Sequence, residues 1–230
     1  MRIVSDKYTA IGGRIGSMVG LMNRSGMCFR NWVVPANPDT SAQQGTRATL
    51  SQLATAWGDT LTSSQRAAWE AYAATLEFTS KLGTPYTISG FNAYCAGNGA
   101  RMVAGLSRID DGPTTAGFDT FTAVVPVWDA SDEEIQIAYT NTDGWAGEVG
   151  GALTVRKCPL GISPGVTFYE GPFIYADKEL GAGTPPTSPL IVSCAVGYII
   201  EGIRYAIAVR SVRADGRWSK EVLFPGTGAA

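Results

Sequence analysis

The chain has 230 residues, enough for one large cored domain or two small ones. Its 18 basic and 20 acidic side chains nearly cancel to a formal charge of −2, which argues against a nucleic-acid binder built on clustered Lys and Arg. A hydrophobic content of 45% argues against global disorder, and the absence of histidine makes Ser-His-Asp and Cys-His catalysis impossible within the chain.

In chain order, MRIVSDKYTAIGGRIGSMVG carries Asp6, Lys7 and Arg14, which interrupt any apolar run of the secretory type. No segment approaches the ~20 apolar residues needed to span a bilayer, so the expectation is a soluble protein made in a cytoplasm, without a membrane partner. Residues 1–36 read as an extended arm with a β-hairpin, because the apolar runs of RIGSMVGLMNRSGMCFRNWVV flank a turn at Asn23-Arg24-Ser25-Gly26. A hairpin is marginal alone and needs a sheet or a neighbouring subunit to hold it. The glycines of Ile11-Gly12-Gly13-Arg14-Ile15-Gly16-Ser17 lack the P-loop pattern and suit an arm lying flat on another surface.

Residues 37–112 read as helical. Thr40 or Ser41 caps a first helix whose apolar face is Leu50, Leu53, Ala54 and Trp57, ending at Gly58-Asp59. Thr62-Ser-Ser-Gln65 is a capping box, opening a second helix with Trp69, Tyr72, Ala73 and Leu76 on its inner face. The short connection predicts an antiparallel helical hairpin whose tryptophans form a clamp. A third helix follows Ser89, with Phe91, Tyr94 and Cys95 inward, and Gly97 and Gly99 are expected to end or kink it. Asp110-Asp111-Gly112-Pro113 is a turn and marks the domain boundary.

Residues 113–230 read as β. Glu134–Thr140 alternates with Ile135, Ile137 and Tyr139 on one face, and further strands are predicted at 153–155, 173–175 and 190–196. Residues 203–212 alternate through Ile203, Tyr205, Ile207 and Val209, then turn at Ala214-Asp215-Gly216 into a returning strand over 217–224. Short strands at this spacing predict an antiparallel β-sandwich, making the whole chain α+β.

The stretch GIRYAIAVRSVRADGRWS, Gly202 to Ser219, resembles the last two strands of a fibronectin type III or immunoglobulin-like domain, with Tyr205 near that family's corner tyrosine. Such a resemblance implies architecture only. Farther back, Asn37-Pro38-Asp39-Thr40-Ser41-Ala42-Gln43-Gln44, then Arg47, then Leu61 through Ala73 are similar to a family of uncharacterised phage and prophage proteins. Ser41 stands where that pattern has proline. This resemblance implies a virion component, and with it a major capsid protein or other virion proteins as partners, homo-oligomeric contacts in the particle, and no nucleic acid.

The chemistry-bearing clusters carry weaker alternatives. Cys28, Cys95, Cys158 and Cys194 are scattered without a C-x-x-C pair, so free thiols are expected rather than zinc. Asp129-Ala-Ser-Asp132-Glu133-Glu134 lacks calcium-loop spacing and reads as a solvated turn. No pair among Asp110, Asp111, Asp129 and Glu170 is marked for glycoside hydrolysis. Gln43, Gln44 and Gln65 suit caps or inter-helix bonds. No catalytic, cofactor or metal residue is assigned. The expected function is a non-enzymatic capsid cement or decoration protein. The alternatives are a tail or head–tail connector part, or a carbohydrate-binding module using exposed Trp128, Trp145 or Trp218. The expected interaction residues are Arg14, Met18, Arg24, Phe29, Trp32, Arg47, Trp57, Trp69 and Tyr72.

Overall fold

A computed structural model describes residues 13–23, 26–34, 39–80, 83–122, 124–163, 165–166 and 169–229. The fold is α+β, with antiparallel sheets and, among the described residues, three α-helices, and the chain divides into two compact units. One unit takes residues 1–46 and 78–86, the other residues 47–77 and 87–230. The boundary expected at residue 112 therefore falls inside the second unit.

The first unit holds strands β1 (Gly13–Ile15), β2 (Met18–Asn23) and β3 (Gly26–Asn31) in one antiparallel sheet. The expected hairpin is present, since Asn23 pairs with Gly26 and Met18 with Asn31. Gly16, at φ +59°, lets the chain reverse between β1 and β2. The same unit contains the two-residue strands β4 (Phe78–Thr79) and β5 (Pro85–Tyr86), with the Phe78 and Tyr86 rings stacked at 5.5 Å.

Helix α1 runs Ser41–Thr55 and passes into a π-helical turn, Ala56–Thr60. Its start is boxed as the glutamines suggested: Gln43 N–H donates to Thr40 Oγ1 at 3.3 Å, and Thr40 N–H donates to Gln43 Oε1. Gln44 Nε2 donates to the carbonyl and carboxylate of Asp39. The predicted apolar face of α1 needs correction. Leu53 is the buried residue of α1, while Leu50 is 53% exposed and Ala54 is exposed.

Helix α2, Ser63–Ala74, has the predicted capping box in full and buries Trp69, Tyr72 and Ala73, with Leu76 just beyond. The helix that packs against it is α3, Gly90–Val103, rather than α1 as the hairpin reading expected. Ser89 caps α3, and Glu70 of α2 accepts a bond from Gly90 N–H at 2.8 Å. The expected break at Gly97 and Gly99 does not occur. A Cβ at Gly97 would lie 2.4 Å from the Gly216 carbonyl oxygen, so this glycine lets the helix lie directly on a β-turn.

Seven strands among the described residues complete the second unit. Strands β6 (Val125–Asp129), β7 (Glu134–Ala138) and β10 (Leu190–Ser193) form a sheet in the order β10-β7-β6. Strands β8 (Ala152–Lys157), β9 (Ile174–Leu180), β11 (Arg204–Val212) and β12 (Val222–Thr227) form another, in the order β12-β11-β8-β9. All these pairings are antiparallel. One core lies between the sheets: Trp128, Ile135, Ile137 and Val192 meet Leu153, Val155, Tyr205, Ile207 and Val209. The Trp128 and Tyr205 rings stack at 5.1 Å. The predicted inner face of β7 is present as expected. Strand β11 differs, since Ala206, Ala208 and Val212 on its other face are buried too.

Candidate functional site

The arm sheet places small and apolar residues on both of its faces. Register puts Gly13, Gly20 and Phe29 in one row and Ile15, Met18 and Asn31 in the next, on the same face. The opposite face carries Arg14, Val19 and Arg30, then Leu21 and Cys28. Ile15 is 66% exposed, Met18 is exposed and Phe29 is half-buried. The Arg14 guanidinium lies 3.9 Å from the Trp32 ring centroid, and its Nε donates to the Gly16 carbonyl at 2.9 Å. Trp32 is anchored by its backbone, N–H to Ser17 O at 2.6 Å, while 46% of the residue stays exposed. Val33 and Val34 continue this apolar run and are more exposed still. Of the other residues expected to make contacts, Arg24 lies outside the described residues and Arg47 is exposed on α1.

The tryptophan clamp is a correction. Trp69 and Tyr72 are fully buried in the second unit's own core and are not available to grip a neighbour. Trp69 Nε1 donates to the Asp110 carbonyl and Tyr72 Oη to the Gly117 carbonyl. Their rings belong to an aromatic chain running Trp57, Tyr94, Trp69, Tyr72, Trp218, Phe118, with neighbouring centroids 5.4–6.1 Å apart. Such edge-to-face contacts tie α2 and α3 to the sheet. Burial pushes the Tyr94 hydroxyl up to about 12 and the Tyr72 hydroxyl higher, so both stay protonated at ordinary pH, Tyr72 as a donor and Tyr94 buried without a hydrogen-bond partner among the described residues. Trp57, half-buried, packs on Phe91 and Tyr94.

The rings invoked for carbohydrate binding are core residues as well: Trp128, Trp145 and Trp218 are all buried, and none offers a face to a sugar. The acidic run at 129–134 is a side-chain-stapled turn. Asp129 Oδ1 accepts from Ser131 N–H, Ser131 Oγ and Asp132 N–H, and these bonds hold its carboxyl below the usual range. Glu133, at φ +55°, accepts from the N–H groups of Gly197 and Ile199. Among the described residues no three Cys, Asp or Glu side chains gather as a metal site needs, and no helix is long and apolar enough to cross a membrane.

Asp110 pairs with Arg108, while Asp111 accepts from Gln65, so these two acids are engaged separately. A polar depression is lined by Asn141, Thr142, Asp143, Glu148, Thr184 and Arg213. Its charged groups are already engaged: Arg213 binds Glu148 at 2.6 Å and Asp119 at 3.1 Å, and Asp143 accepts from the Thr122 N–H and hydroxyl. The sequence reading missed two features: strand β6, whose Val125 and Val127 are exposed, and the outward arginines of β8 and β11. Nothing in the local pattern marks either, since both depend on which strands become neighbours.

Comparison with protein-family models finds no match, and comparisons with curated proteins and with solved structures also find none.

Proposed function

We propose that this protein is a non-enzymatic structural component of a phage virion, a capsid-associated cement or decoration protein that docks through its arm. The observation that carries this reading is the β1–β3 sheet with the segment that follows it: Ile15 and Met18 on the sheet and Trp32, Val33 and Val34 just beyond β3 are exposed. Clustered apolar exposure of this kind suits an assembly contact, because burying it against neighbours contributes ~25 cal/mol per Å². Trp57, Trp69 and Tyr72 drop out of the docking role, and the arm residues Arg14, Met18, Phe29 and Trp32 keep it.

The two-sheet part of the second unit, in this reading, is a fibronectin type III-like sandwich that projects from or covers the lattice. Its support is the division into three- and four-stranded antiparallel sheets, together with a tyrosine corner. Tyr205 Oη donates to the Tyr198 carbonyl at 2.8 Å and accepts from Ile200 N–H at 2.9 Å, bonding back to the chain just upstream of its strand.

The test is to compare particles assembled with and without the protein under heat. Complete particles should survive higher temperatures, and Trp32→Ala with Ile15→Ser should abolish binding while the soluble protein stays folded. Equal resistance of both particle types would overturn the cement role. Copy number distinguishes a shell position, with hundreds per particle, from a tail or connector position, with a few dozen at most.

A further inference from the structure

The outward face of the four-stranded sheet carries an arginine, Arg210, whose buried Nε has no acceptor among the described residues. Val155 and Val209 point into the core, so their strand neighbours Arg156 and Arg210 point the other way. Arg210 pairs in register with Thr154, and Ala208 with Arg156, which makes the two arginines diagonal neighbours on one face. Val209 pairs with Val222, so Glu221 lies beside Arg210 on the adjoining strand. Its carboxylate nevertheless pairs with Arg156, whose Nε donates to it at 2.8 Å. Lys178, opposite Thr154 on β9, shares the face and gives its ammonium to the Ala104 carbonyl, which leaves its charge uncancelled.

Arg210 is what remains. Its Nε–H is buried without an acceptor, and among the described residues no hydrogen bond or ion pair engages its guanidinium. Burial lowers its pKa, as expected of a cation removed from water and not fully matched. A guanidinium keeps its charge in proteins, so this group calls for an acceptor rather than losing its proton. Three cations with one carboxylate among them leave the face short of negative charge.

We propose that Arg210 and Arg156 form a binding site for an oxyanion, a phosphate or carboxylate group, on the outward face of the four-stranded sheet. The planar donor fork of Arg210 supplies directional bonds to two oxygens, and Arg156, partly exposed, closes on the anion from the neighbouring strand. Glu221 competes with the anion for Arg156. The site is independent of the arm and of the virion reading.

Melting of the full-length protein in sodium phosphate or sodium acetate, against sodium chloride at equal ionic strength, tests this. Saturable, anion-specific stabilisation is expected. Arg210→Gln should weaken the apparent affinity about tenfold or more, equivalent to ~1.4 kcal/mol. Glu221→Gln, by freeing Arg156, should tighten it, an effect of opposite sign that a purely structural arginine would not give. Stabilisation by phosphate alone assigns a phosphate group; stabilisation by acetate as well assigns a carboxylate. The proposal is overturned if neither anion stabilises the wild type beyond chloride, or if Arg210→Gln responds as the wild type does. Should Arg210→Gln fail to fold, the Glu221→Gln comparison decides, and an unchanged affinity there overturns the site.

Discussion

The arm sheet and the two-sheet body are built from similar strands with opposite outcomes. In β7 and β11, Ile135, Ile137, Ile207 and Val209 are fully buried, because each sheet finds an apolar partner layer opposite. In β1–β3, Ile15 and Met18 are exposed and Val19, Leu21 and Phe29 only half-buried. Alternation alone therefore does not make a core. A strand gains its hydrophobic stabilisation only when a second layer excludes water from its inner face.

The sharpest test of that contrast is a pair of tryptophan truncations. Trp69→Ala should cost ~3–5 kcal/mol in chemical denaturation, as expected for a large aromatic removed from a packed core. Trp32→Ala on the arm should fall within ~0.5 kcal/mol of wild type, as surface substitutions usually do. Comparable losses at both positions would mean that the arm is cored.

Next in size is a pair of glycines in one helix. Gly97→Val should destabilise by ~1–3 kcal/mol, because the new side chain meets the Gly216 carbonyl and the Trp218 ring. Gly99→Ala, with nothing within 4 Å of its Cβ, should stabilise the protein by ~0.5–1 kcal/mol through helix propensity. Thermal melts of the two variants should move in opposite directions.

Smaller still is the cap of α2. Thr62→Ala removes the acceptor for Gln65 N–H and should cost ~1 kcal/mol. A pH dependence comes last, with no effect at neutral pH. Burial raises the Cys95 thiol from 9.0 to about 11, so the unfolded chain ionises first as the pH rises. The contribution of this thiol is intact below pH 9 and lost progressively towards pH 11. A Cys95→Ala variant should show a flatter stability profile across that window.

Parts of the fold were legible from local chemistry. Thr62 and Gln65 announced a capping box, since the motif needs only residues three apart. Asn23 and Gly26 announced a hairpin, and the alternation at 134–140 placed Ile135 and Ile137 inward for the same local reason. Of the residues expected to make contacts, Arg14, Met18, Phe29 and Trp32 lie on the arm as the hairpin pattern places them, whereas Trp69 and Tyr72, expected to grip a neighbour, are core. A tryptophan on an amphipathic helix has the same spacing whether it faces a neighbour or its own sheet. Only the α3 and β11 neighbours decided that it faces inward.

Sequence by itself determined the caps, the turns, the periodicity of each element and the α+β class, because these follow from interactions between residues a few positions apart. Tertiary structure alone decided that α2 pairs with α3, that Gly97 permits contact rather than ending a helix, and that Arg210 stands beside Arg156 while Glu221 is taken. Those outcomes depend on which distant segments share a layer, and burial, charge pairing and close approach are properties of that neighbourhood rather than of any short stretch of chain.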